Sequence, residues 1–272
     1  MALSLTSFNK SNMERIDRPV WNKIPELTLL FWIMKITATT LGETGGDLLA
    51  QTLNVGYATS TIIFFAFFLV AVTAQLLSKR YIPPIYWAVI VATSTAGTTM
   101  SDYMDRTLNL GYAVGSAILI SILIAVLLIW RLTEKTLSVT EIRSRRGEIF
   151  YWVAILFSNT LGTALGDFLA DDSGLGFGGS ALLISGVLLL VILAYFFTQI
   201  SRVILFWIAF VLTRPFGATF GDLLTKSHEK GGLGYGTIGA SIILFAMLVG
   251  FVIYESLHNK RESTRTVTAF AD

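Results

Sequence analysis

Four aspartates recur in register along this chain. Asp47, Asp102, Asp167 and Asp222 each close the pattern W-x9-G-x4-D, begun by Trp32 and Gly42, Trp87 and Gly97, Trp152 and Gly162, and Trp207 and Gly217. The Asp-to-Asp intervals are 55, 65 and 55 residues. On a helix, positions −3, −4, −7 and −8 from each Asp share its face. These are Thr44, Glu43, Thr40 and Thr39, then Thr99, Thr98, Thr95 and Ser94, then Ala164, Thr163, Thr160 and Asn159, and finally Thr219, Ala218, Pro215 and Arg214. Carboxylates and hydroxyls converging from four helices make a hard, oxygen-rich site. That chemistry suits Mg²⁺, Mn²⁺, Ca²⁺ or a monovalent cation. The chain has no Cys, and its two His are His228 and His258. This speaks against a dedicated copper site and, less strongly, against zinc. The expected metal ligands are the four Asp. Glu43, Thr44, Thr99 and Thr219 join them as candidate cation-binding or translocation residues. No cofactor is expected, and a bound metal would be substrate.

Three charges break the repeat. Glu43, Lys35 and Arg214 stand where the other copies are neutral. Lys35 and Arg214 are read as charge partners that neutralise nearby carboxylates. Glu43 is read either as half of an interior ion pair or as a proton-coupling carboxylate whose built-in cation competes with substrate. Simpler roles stand beside these. A Gly or Ser precedes each Asp, and Asp also caps turns. The four Trp read as interface anchors or packing, and Tyr57, Tyr112, Phe177 and Tyr235 as packing. Asp105, Arg106, Asp171, Asp172, Lys226, His228 and Glu229 read as solvated loop charges.

The elements that must position these residues are long and apolar. Of 272 residues, 54% are hydrophobic and 14% charged. A soluble domain carries about a quarter charged residues, so a soluble globule, a disordered chain and a nucleic-acid binder are excluded. Apolar stretches at roughly 26–46, 57–78, 82–102, 111–131, 149–168, 175–200, 202–221 and 234–255 each approach the about 20 residues of a membrane-crossing helix. They are continuous, not alternating, which argues against a transmembrane barrel. The first 25 residues show no pattern of a removable signal peptide. Eight spans put fifteen Lys and Arg on the side of the termini and three, Arg106, Lys226 and Lys230, on the other. Basic residues mark the cytoplasmic side, so both termini are expected there.

The chain divides into a tail (1–25), repeat 1 (26–79), repeat 2 (80–132), a charged cytoplasmic linker (133–147), repeat 3 (148–200), repeat 4 (201–256) and a second tail (257–272). Each repeat holds two helices and is expected to fold as a hairpin. A Gly-aromatic pair opens the second helix: Gly56-Tyr57, Gly111-Tyr112, Gly176-Phe177 and Gly234-Tyr235. Two spans per repeat give all copies one orientation, so the expected fold is all-α and transmembrane. Its eight helices form four tandem hairpins about a pseudo-symmetry axis along the membrane normal. The polar first helices line the interior and the apolar second helices face lipid. The distance from Trp to Asp, 15 residues, spans about 22 Å of helix.

Four tandem two-helix repeats, each with a Trp and a Gly/Thr-rich segment ending in Asp, resemble a bacterial membrane-protein family defined by this repeat and described as a repeat of unknown function. The resemblance covers about 26–256. It implies the fold and a bacterial inner-membrane location, and it supplies no activity or site. The residues themselves point to a multi-pass transporter of a cation, either a hard divalent metal such as Mn²⁺ or Mg²⁺ or a proton-coupled cation. The alternatives are a cation channel with an Asp ring and a non-transporting sensor or scaffold. The strings TTLGETGGD and TLGTALGD resemble the TVGYGD filter of potassium channels, but no third hydrophobic segment supplies a pore helix. An intramembrane aspartyl protease needs G-x-G-D. Here position −3 is Thr or Ala, so no enzyme is expected. The partners expected are membrane lipid and the cation, without nucleic acid; a homo-oligomer stays open.

Overall fold

The computed structural model describes residues 23–269 apart from 140, 141 and 143. Lys10, Arg15, Arg18 and Arg143, four of the charges behind the expected orientation, lie outside the described residues. Among the described residues there are eight α-helices and no strand. They are α1 (Leu29–Asp47), α2 (Tyr57–Leu77), α3 (Pro83–Asp102), α4 (Tyr112–Glu134), α5 (Arg145–Asp167), α6 (Gly176–Phe197), α7 (Arg202–Thr225) and α8 (Thr237–Ala269).

Local sequence explains their ends. Thr28 and Ser144 cap α1 and α5 by accepting from the backbone N–H of Phe31 and Gly147, which satisfies donors that a helix start leaves free. Pro83 and Pro84 open α3, where a missing N–H costs nothing. The first three Asp are each followed by a five-residue π-helical turn, Leu48–Thr52, Tyr103–Thr107 and Phe168–Asp172. Left-handed Gly56 and Gly111 then start α2 and α4. Repeat 4 departs from this plan. Its loop is longer, Gly236 is also left-handed, and α8 begins at Thr237, so Tyr235 lies ahead of the helix and does not open it.

The four odd-numbered helices form a closed inner ring. α1 packs on α3, α3 on α5, α5 on α7, and α7 back on α1. The motif glycines sit at these seams. A Cβ on Gly42 would collide with Ser94, one on Gly97 would lie 3.0 Å from the Thr160 backbone N, one on Gly162 would strike Arg214, and one on Gly217 would strike Thr39. Each motif glycine therefore admits the next repeat's inner helix.

The repeats do not fold as the expected hairpins. Chain order makes each repeat an up-down pair, yet its two helices scarcely touch. Each outer helix packs instead on the inner helix of the following repeat: α2 on α3, α4 on α5, α6 on α7, and α8 on α1. The short loop spans the gap between neighbours, so the outer helix seats in the groove beside the next helix. Thr52 and Thr237 hydroxyls, 2.7 Å apart, and Ser241 donating to Thr44 at 2.9 Å help close the circle.

Six helices are long and apolar enough to cross a membrane: α2, α4, α5 with its π turn, α6, α7, and α8 through Lys260. By length and composition the chain is a multi-pass helical membrane protein. The inner helices α1 and α3 do not qualify, because their hydroxyls and glycines, and in α1 the charges Lys35 and Glu43, lower their hydropathy. The outer helices expose Ile62, Leu182 and Phe197 over most of their surface, as residues facing lipid would be. The inner helices bury Thr, Ser, Asn and charge.

Gly97→Ala is expected to lower stability by about 1–3 kcal/mol, because neighbouring backbone must shift. Gly250→Ala, with nothing near its Cβ, is expected to be neutral or to gain up to about 1 kcal/mol from helix propensity. Thermal unfolding of both variants in detergent checks the contrast.

Candidate functional site

The i, i+4 register from each Asp runs down the axis of the inner ring, and it stacks four-residue layers. At the Trp end the layer is Phe31, Tyr86, Tyr151 and Phe206, each followed by its motif Trp. Phe31 meets Trp87 at 5.8 Å between ring centroids, Tyr86 meets Trp152 at 5.4 Å, and Phe206 meets Trp32 at 5.9 Å. Trp130 of α4 fills the remaining seam, between Tyr151 and Trp207. Tyr86 and Tyr151 hydroxyls lie 2.7 Å apart. The motif Trp are thus packing residues in an inward aromatic seal. Lys23 pairs with Glu148 at 2.7 Å and donates to the Leu76 carbonyl, tying the segment before α1 to α5 and α2.

The next layer is Lys35, Ile90, Ile155 and Phe210, all fully buried. Lys35 Nζ lies 3.4 Å from Asn159 Oδ1 and 4.1 Å from the Phe210 ring centroid. Asn159 in turn donates to Thr93 Oγ1 at 2.9 Å. Above it come Thr39, Ser94, Asn159 and Arg214, then Glu43, Thr98, Thr163 and Ala218. The Arg214 guanidinium fills the axis. Its Nη1 donates to Glu43 Oε2 at 3.1 Å and the Thr39 carbonyl at 3.3 Å. Its Nη2 donates to Thr163 Oγ1 at 2.7 Å, the Ser94 carbonyl at 3.3 Å, and Thr98 Oγ1.

The four Asp form the last buried layer, and two cations from the turn beyond bridge them. Lys226 Nζ lies 2.6 Å from Asp47 Oδ2 and 3.1 Å from Asp222 Oδ1. Arg106 reaches Asp102 at 2.9 Å, Asp167 at 3.2 Å and Asp171 at 3.8 Å. Tyr112 donates to Asp171, and Gln51 donates to Asp47 at 2.5 Å. Each cation stands four residues after its own Asp and joins it to the Asp of the following repeat. Burial alone would lower the Lys226 ammonium's pKa, but the Asp222 and Asp47 carboxylates overcome this and hold it above the ordinary lysine range. One carboxylate oxygen each from Glu43, Asp47 and Asp222 lies within 4.8 Å of the others, a spacing that fits a shared cation. Lys226 also borders an open pocket of about 450 Å³ lined by Gln51, Thr52, Ser227, Lys230 and Tyr235.

The ring therefore brings together Asp47, Asp222 and Glu43, and separately Asp102 and Asp167. Thr44, Thr99 and Thr219 are buried but stand off the column. Their hydroxyls bond carbonyls of their own helices, and Thr44 also accepts from Ser241 on α8. Arg214 is a charge partner, of Glu43. Lys35 is not: among the described residues its contacts are Asn159 and Phe210. The largest correction concerns Arg106, Lys226 and Asp171, read from sequence as solvated loop charges. They belong to the aspartate network, and Asp105 is buried against Ser101 and Gly115. The spacing D-x3-[RK] in repeats 2 and 4 was the available signal, since such pairs share a helical face.

Four segments, 30–81, 85–136, 150–201 and 205–260, match the family described as Repeat of Unknown Function (DUF347). No curated protein and no solved structure matches the chain.

Removing one partner of a buried pair strands the other charge, so Arg214→Leu is expected to destabilise the fold by about 3–5 kcal/mol. Adding Glu43→Gln to Arg214→Leu is expected to recover part of that loss. A double-mutant cycle on unfolding in detergent measures it.

Proposed function

The chain belongs to the family of the Repeat of Unknown Function (DUF347), and from that premise we propose that it is a membrane carrier for a hard cation, a divalent metal such as Mn²⁺ or Mg²⁺. The observation that carries this reading is the buried trio Glu43, Asp47 and Asp222, whose oxygens lie within 4.8 Å of one another. Oxygen-only ligand sets of this kind select hard cations.

Lys226 holds the place of the arriving cation. Its ammonium sits on Asp47 and Asp222 and borders the pocket. A cation arriving there displaces Lys226 from the two Asp, then competes with Arg214 for Glu43. The layer of Lys35, Ile90, Ile155 and Phe210 and the aromatic seal close the far end. A column blocked at one end and accessible at the other fits alternating access better than an open channel.

In this reading all eight helices cross the membrane, with the ring axis along its normal. α1 and α3 cross despite their polarity because neighbouring helices shield their stripes from lipid. Both termini lie in the cytoplasm on the distribution of Lys and Arg, and the membrane is the bacterial inner membrane. Membrane lipid and the cation are the partners, nucleic acid is not, and the protein is no enzyme. A scaffold reading draws on one feature, that the carboxylates already have internal cations. In that case Asp→Asn changes lower folding yield and nothing is carried.

In proteoliposomes the wild type is expected to take up radioactive Mn²⁺ saturably. Asp47→Asn and Asp222→Asn, recovered folded and monodisperse, are each expected to lose about tenfold or more in initial rate, since ligand charge sets affinity for such ions. Unchanged rates in both variants contradict the reading.

A further inference from the structure

Among the described residues, Lys35 is the basic residue of the column without a carboxylate partner. Arg106, Arg214 and Lys226 each sit on at least one acid. Lys35, fully buried, has an amide oxygen and an aromatic face. Its surroundings suit both of its protonation states. The Thr93 hydroxyl donates to the Ile90 carbonyl at 2.8 Å, so it must accept from Asn159 Nδ2. That fixes Asn159 Oδ1 as an acceptor aimed at Lys35. An ammonium donates to that oxygen, and so does a neutral amine, which keeps N–H groups. An arginine in this place has no accessible neutral form.

The charged group facing Lys35 is Arg214 of α7. Among the described residues, α3 presents Thr93 and Ser94 and α5 presents Asn159; the α8 carboxylate, Glu255, accepts from Tyr81 and from Trp87 beside the adjacent aromatic layer, and Glu43 stands two turns along α1 itself. Arg214 is compensated by Glu43 at 3.1 Å. A substrate cation that takes Glu43 removes that compensation. Two unpaired positive charges then face each other in a water-poor interior, where repulsion is far stronger than in water. Of the two, lysine is the one that can lose its proton.

We infer that Lys35 is the proton-carrying group of the column, charged when the cation site is empty and neutral when it is filled, so that the protein exchanges a cation for a proton. This rests on the carrier reading above. The step balances: Lys35-NH₃⁺ gives Lys35-NH₂ and a proton, which water on the open side accepts. After the cation leaves on the other side, Arg214 returns to Glu43 and the amine regains a proton from that side.

The test uses proteoliposomes of the full chain with a trapped pH dye. External Mn²⁺ is expected to enter and the lumen to become alkaline. Lys35→Met and, as a second variant, Lys35→Gln are expected to keep Mn²⁺/Mn²⁺ exchange within about twofold, because neither removes a carboxylate ligand. Their Mn²⁺-driven pH change is expected to fall about tenfold or more, because neither side chain gains or loses a proton in this pH range. A wild type that carries Mn²⁺ with no pH change overturns this inference alone, as does either folded variant with an undiminished pH change. A wild type that carries no Mn²⁺ overturns both this inference and the carrier reading.

Discussion

One guanidinium touches all four inner helices. Arg214 stands on α7 and reaches Thr39 and Glu43 on α1, Ser94 and Thr98 on α3, and Thr163 on α5. A buried cation without such partners would be prohibitively costly, so the ring must close around it with Glu43, Thr98 and Thr163 in place. Glu43 supplies the opposing charge and the two threonines accept from Nη2, while Nε has no partner among the described residues. The inner helices can afford their hydroxyls only because those hydroxyls face this axis and their own backbone. The apolar outer helices follow from the same constraint, since something must separate a polar column from lipid.

Closure makes the four repeats interdependent. Each outer helix packs on the next repeat's inner helix, and each motif glycine admits the next repeat's axial side chain. No repeat can bury its own stripe alone. The two bridging cations add a two-fold pattern to the four-fold ring. Lys226 joins repeats 4 and 1, Arg106 joins repeats 2 and 3, and both bridges run between the halves divided by the charged linker. The two ends of the column differ in kind. One is sealed by aromatic rings and branched aliphatics bordered by the buried Lys23–Glu148 pair, whereas the other holds the bridged aspartates beside an open pocket, where side chains exchange partners at lower cost.

Much of this was legible in the sequence. The W-x9-G-x4-D register gave four repeats, and the contrast between TTLGETGGD and the plain run Ile62–Val72 separated inner helices from outer ones. The choice of face was harder. Positions −3 and −4 lie on neighbouring sides of one stripe, and only the partner helix decides that Glu43 points to the axis while Thr44 meets Ser241. The exchange of outer helices between repeats left no local trace, because both helices of a true hairpin would carry the same apolar pattern. Arg106 and Lys226 looked like loop charges because they follow the apolar spans. The D-x3-[RK] spacing ties each to the Asp of its own repeat, but the bridge to the Asp of the following repeat is one that no spacing within one repeat reveals.

A hard-cation site among Glu43, Asp47 and Asp222 is the claim on which the functional account turns. Anomalous scattering at the manganese edge, from crystals of the protein grown with Mn²⁺, tests it most directly. One peak bounded by these three carboxylates is expected, with the Lys226 ammonium moved off Asp47 and Asp222. Saturating Mn²⁺ with no peak in the column, and Lys226 still seated on both aspartates, would contradict it.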